Sequence, residues 1–134
     1  MGTRSNVIVI TPENKAHQIY HHYDGYPSGV GEELRTIINY IIENTPESNS
    51  NSIHENFMYS VFKNDQYEDE YESDLDTHNR LHGDIEYLYI IKNMKLFYVN
   101  EFRLCDKFNS YRDLVNYVCT SGVEVDLKHK IIAM

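Results

Sequence analysis

Two hydrophobic periods run through this chain, one of two residues and one near 3.6, and they divide it into strands and helices. From Asn6 to Thr11 the run Asn-Val-Ile-Val-Ile-Thr is β-branched and reads as a strand, and Pro12-Glu13-Asn14-Lys15 supplies the turn that stops it. Ala16 to Tyr23 reads as the returning strand. Alternation places Ile19, His21 and Tyr23 on one face and Gln18, Tyr20 and His22 on the other, so the adjacent histidines diverge. With Ile19 marking the core face, His21 is predicted to be the more buried. Leu34, Ile37, Ile38, Ile41 and Ile42 form a helical stripe, opened by the acids Glu32 and Glu33 at its positive end and stopped at Asn44-Thr45-Pro46.

The polar stretch Glu47 to Ser52 reads as a surface loop. Ile53 to Phe62 fits both periods, with the helix preferred. Residues 64–84 are rich in acids, among them Asp65, Glu68, Asp69, Glu70, Glu72, Asp74 and Asp76, and such a self-repelling run predicts a mobile, solvated loop. Ile85 to Lys92 and Lys95 to Glu101 make a hairpin around Asn93-Met94. Asn109-Ser110, with Asp113 beyond, offers an N-cap to a helix carrying Tyr111, Leu114, Val115 and Val118 and ending at Ser121-Gly122. Val123 to Met134 reads as an edge strand or a docked tail. The pattern predicts one α+β domain over residues 1–134, an antiparallel sheet of four or five strands from two hairpins, with two or three helices on one face.

Composition adds limits to this picture. The 134 residues, 41% of them hydrophobic, suffice for one core. Twelve tyrosines, five phenylalanines and no tryptophan suit half-buried sheet faces and polar-tipped contact surfaces. A formal charge of −9 with no basic patch argues against nucleic acid as a partner. No stretch approaches the ~20 apolar residues of a membrane span, and the first residues lack a signal-peptide core. Asn6 stands where the myristoylation pattern wants Ser or Thr. Cys105 and Cys119 read as reduced thiols of a cytoplasmic protein.

Candidate chemistry concentrates between Tyr20 and Gly31, read as Tyr-His-His-Tyr-Asp-Gly-Tyr-Pro-Ser-Gly-Val-Gly. Glycine and proline there fix a backbone path that other residues follow only at a cost, which holds the polar side chains in set positions. The candidate site residues are Arg4, His21, His22, Tyr23, Asp24, Gly25, Tyr26, Pro27, Gly29 and Gly31. His21, His22 and Asp24 are residue types suited to general-base or metal chemistry, but neighbours on a strand cannot easily reach one ion, and a structural corner is the preferred reading. Gly25, Gly29 and Gly31 match neither phosphate-binding fingerprint, and Glu32-Glu33 would repel an anion. Asp74, Asp76 and His78 lack the frame of a calcium loop, and the two cysteines lack zinc spacing, so no metal or cofactor is expected.

Three segments, Met1-Gly2-Thr3-Arg4-Ser5, His22-Tyr23-Asp24-Gly25-Tyr26-Pro27-Ser28-Gly29-Val30-Gly31 and Ile85-Glu86-Tyr87-Leu88-Tyr89-Ile90-Ile91, resemble a family of uncharacterised small proteins of fungi, bacteriophages and large DNA viruses. In that family the central motif often carries tryptophan where Tyr23 stands. The resemblance implies a shared fold and corner, and no activity. Antiparallel pairing of the first two strands brings Arg4 and Asp24 to the same end of the hairpin, so a bidentate Arg4–Asp24 contact is expected, with Asp24→Ala more destabilising than Glu32→Ala. The functional expectation is a non-enzymatic protein-binding module, such as a viral or phage accessory protein in the host cytoplasm, with the acidic segment as a contact and homo-oligomerisation left open. The alternative is a small hydrolase or ligand-binding enzyme using His22, Asp24 and Tyr26.

Overall fold

The structure is a computed structural model that describes residues 2–44 and 50–132. It is α+β, built on a six-stranded mixed sheet. The strands are β1 (Ser5–Ile10), β2 (Lys15–His21), β3 (Tyr67–Asp74), β4 (Tyr87–Lys92), β5 (Lys95–Asn100) and β6 (Val123–Glu124), in the spatial order β3-β2-β1-β4-β5-β6. The helices are α1 (Glu32–Asn44), α2 (Ser50–Phe62), α3 (Leu104–Lys107) and α4 (Tyr111–Ser121). The two predicted hairpins, β1–β2 and β4–β5, are present, and β1 and β4 join them in parallel with Ser5 opposite Tyr87.

This join sets the sheet in the middle of the domain. Val7, Val9, Ile19, Tyr89 and Ile91 face α1 and α2, while Ile8, Tyr20, Leu88 and Ile90 face α4 and the loop before it. Helices therefore cover both faces, not one as predicted, because both central strands are apolar on both sides and each face has to be buried. On α1, Leu34, Ile38 and Ile41 are buried, each contributing about 1.5–3 kcal/mol before entropy. Ile42 is exposed, at the edge of the stripe. Ser110 caps α4 as read, its hydroxyl accepting from the Asp113 amide at 3.2 Å.

Two expected loops have regular structure. Ser50 to Ser52 belong to α2, while the predicted stop at Thr45-Pro46 and residues 47–49 lie outside the described residues. Within the acidic 64–84 segment, β3 is a strand of eight residues paired along β2. Its acids find partners that the rest of the fold delivers: the imidazoles of His22, His17 and His82 meet Glu68, Asp69 and Glu70, and Lys15 meets Asp74. Residues 75–85 are also anchored. Leu81 and Ile85 are buried, and the Asn79 amide donates to the Phe108 and Asn109 carbonyls at 2.6 and 3.1 Å.

The C-terminal segment combines both readings offered for it, a two-residue edge strand and then a docked tail in which Leu127 and Ile131 pack against the core beneath α1. Cys105 and Cys119 are free and half-buried, and burial pushes the Cys119 thiol up. Among the described residues no helix is long and apolar enough to cross a membrane.

Candidate functional site

The corner between β2 and α1 is assembled from its backbone outward. Asp24 adopts a left-handed conformation at φ 54°, which costs a non-glycine residue about 1 kcal/mol and is tolerated best by Asp and Asn. The chain then turns under the N-terminal segment, where the Gly25 amide donates to the Thr3 carbonyl at 2.9 Å. Pro27–Gly31 forms a π-helical turn that runs into α1. Val30 N–H closes the turn on the Asp24 carbonyl at 2.8 Å, and Gly29 N–H on that of Tyr26 at 2.9 Å.

None of the described glycines has a positive φ; the corner needs them for close approach. A Cβ on Gly29 would lie 2.2 Å from the Asp24 carbonyl oxygen, and one on Gly25 2.8 Å from that of Thr3. Gly31 rests on the ring of Tyr89, whose buried hydroxyl donates to the Gly25 carbonyl at 2.6 Å. Burial, then the neighbouring Tyr87 and Tyr98, hold that phenol protonated far above its usual range. The corner's backbone is thus held by its own turns, by the N-terminal segment at Thr3 and by Tyr89 of β4.

The candidate side chains do not converge. His21 is 2% exposed, its Nδ1 accepts from the Tyr23 amide at 3.3 Å, and its ring lies against Tyr67. Burial lowers its pKa and keeps it neutral. His22 is on the opposite face, half-exposed, and meets Glu68 at 2.7 Å. The Asp24 carboxylate accepts from the Tyr26 hydroxyl at 3.0 Å, which raises the Tyr26 phenol, and Tyr23 is exposed. The expected Arg4–Asp24 contact is absent: the Arg4 guanidinium pairs with Asp84. Both carboxylates lie near the same end of the sheet, but the parallel β1–β4 pairing, extended by the Glu86 amide on the Arg4 carbonyl at 2.9 Å, sets Asp84 beside the arginine. Asp76 pairs with Arg112 and His78 bridges to Ser110, so those residues hold the loop to α4.

A second polar constellation, around Tyr20, was missed. The Tyr20 ring stacks on His82 at 4.1 Å and meets His22 edge-on at 4.7 Å. His82 in turn contacts Glu70, which also accepts from Gln18 at 2.6 Å. Gln18, fully buried, continues inward to the Arg80 carbonyl and to the Tyr111 hydroxyl, at 2.9 and 2.7 Å. Burial first, then the carboxylate of Asp84, raises the Tyr20 phenol. The network locks β3 and the 78–85 loop to the sheet. The sequence signal for it was the placement of Gln18, Tyr20 and His22 on one strand face; Glu70 and His82 carried none, since their partners are more than fifty residues away or on a segment read as loop.

What remains open is the far side of β3. Among the described residues this strand has β2 as its one neighbour, and its outer main-chain groups are unpaired in the sheet. Residues 65–76 hold seven acids and no lysine or arginine. Tyr71, exposed, lies in the same strand under the guanidinium of Arg80 at 4.6 Å. Comparison of the chain with protein-family models, curated proteins and solved structures gives no match.

Proposed function

We propose that this protein is a non-enzymatic interaction module that pairs an extended, basic segment of a partner protein with the outer edge of β3. The observation that carries the reading is the combination in one strand of an unpaired edge and five acids, Glu68, Asp69, Glu70, Glu72 and Asp74. An open edge is a template for an added strand, and β3 carries acids and a bulge at Glu70 in place of lysine or proline, so its protection is against strands of like charge. The acids deter a second copy of the same strand and favour a chain of opposite charge. The rival hydrolase around His22, Asp24 and Tyr26 is less favoured, since Asp24 and Tyr26 pair with each other while His22 turns to Glu68. A cytoplasmic protein partner, in a host cell if the resemblance to viral and phage proteins reflects origin, suits such a module.

Fluorescence anisotropy with a labelled peptide of alternating lysine and valine, matched in length to β3, tests the proposal. Saturable binding is expected, weakening as salt rises from about 20 to about 300 mM. N-methylation of alternate peptide bonds on the pairing side should abolish it. The double reversal Glu72→Lys with Asp74→Lys should weaken it roughly tenfold or more. Equal binding of the methylated and unmethylated peptides would refute strand addition.

A further inference from the structure

At the end of the sheet away from the corner, the chain leaves β1 toward β2 and β4 toward β5, in opposite directions across the sheet. A crevice is left between the carboxyl ends of these two parallel strands, the kind of place where open sheets receive ligands. Here α2 closes it from one face, forming an apolar cavity of about 100 Å³. Val9, Phe57 and Ile91, all buried, and Ile53 and Met94, half-buried, line it. Ile10, Pro12 and two polar side chains, His54 and Asn93, complete the lining, which among the described residues contains no Asp, Glu, Lys or Arg.

We infer that this cavity is a binding site for a small uncharged molecule with one compact apolar group, of the size of a single aromatic ring, and one hydroxyl or N–H. Volume sets the size: an apolar protein cavity of about 150 Å³ takes up benzene, and this somewhat smaller space opens to solvent, so a ring enters while its substituent stays at the mouth. Lining sets the charge. A carboxylate or ammonium at the mouth would shed part of its water without gaining a counter-ion, whereas an apolar ring replaces water that finds few partners there. The polar end is met by His54, held neutral by burial and then by neighbouring His17, or by the Asn93 amide, and either accepts or donates. Met94, an adaptable thioether at one wall, adjusts to the ring.

Phenol is the probe, followed through the methyl resonances of isotopically labelled methionine, with Met94 as reporter and Met58, outside the cavity, as reference. A saturable shift at Met94 is expected, with benzoate binding at least roughly tenfold more weakly. Ile53→Phe and Val9→Phe fill the space while keeping the Met94 reporter, and either variant, provided its spectrum remains dispersed, should lose saturation. Should both unfold, Ile53→Ala enlarges the cavity and should shift preference from phenol toward the larger indole. Shifts that never saturate, benzoate equal to phenol, a folded filled variant that binds phenol like the wild type, or an enlarged variant with unchanged preference would each overturn the assignment.

Discussion

Glu32 should be a principal anchor of the fold, and Glu32→Gln measures how much it contributes. Its carboxylate accepts from Arg35 Nε and Nη2 at 2.8 and 2.6 Å and from the Ile131 amide at 2.8 Å. The same arginine donates from Nη1 to the Leu127 carbonyl at 2.7 Å, so one ion pair ties the C-terminal tail to the first turn of α1. Arg35 above all, then the Ile131 amide, pulls the carboxyl from its ordinary 4.5 down to about 2 against the opposing cost of burial. At 1.36 kcal/mol per pH unit the difference is worth about 3 kcal/mol as an upper bound. The side chains are 18% and 12% exposed, and screening at this rim reduces the contribution to roughly 1.5–2 kcal/mol. For a domain of this size that is a fall in Tm of about 5–8 °C at pH 7.

The sign is that of a carboxylate depressed by folding. The contribution is complete above 4.5 and is lost as the pH falls toward about 2. Thermal unfolding of wild type and Glu32→Gln, followed by circular dichroism from pH 7 down to pH 3, should show the gap narrowing through the acid range. A variant within about 1 °C of wild type at pH 7, or a gap as wide at pH 3 as at pH 7, would refute the reasoning. The expectation drawn from the motif is also reversed: Glu32→Ala should now destabilise more than Asp24→Ala, since Asp24 holds one exposed hydroxyl.

Other outcomes follow from the corner. Gly29→Ala, which sets a methyl against the Asp24 carbonyl, should cost about 2–4 kcal/mol in urea denaturation, whereas Gly83→Ala, whose nearest neighbour would be 3.6 Å away in a side chain, should stay within about 0.5 kcal/mol of wild type. Tyr89→Phe removes the donor to the buried Gly25 carbonyl and should cost about 1–3 kcal/mol, read from the shift in urea midpoint at unchanged slope. Gln18→Leu removes the acceptor of the Tyr111 hydroxyl and the side-chain donor to the Arg80 carbonyl, leaves Glu70 with His82 alone, and should lower stability by about 2–3 kcal/mol, with amide exchange in β3 accelerated before that in β4.

Features governed by near neighbours were legible in the chain. The cap at Ser110, the stripe Leu34, Ile38, Ile41, and the Asn93-Met94 turn, both of whose residues adopt positive φ, depend on contacts within a few positions. Opposite burial of His21 and His22 followed from alternation alone. Nonlocal pairing was not legible. Ser5 meets Tyr87 across the centre of the sheet, and nothing near either residue announces that partner. The same gap misassigned Arg4, whose acid arrives with β4. It also left β3 as a loop, because charge repulsion within a segment is visible in sequence while the histidines of β2 and the 78–85 loop that answer it are not. At the corner the polar side chains of the motif stand out in the sequence, yet close backbone contact and a tyrosine from β4 determine its shape.

Hydrogen exchange at single-residue resolution along β3, with and without the lysine-valine peptide, addresses the central claim most directly. Strand addition predicts that the amides between Tyr67 and Asp74 that face away from β2, alternating on each side of the bulge at Glu70, gain protection on peptide binding, while those already bonded to β2 change little. Peptide that binds without slowing those outward amides, or that protects another surface instead, would contradict the account.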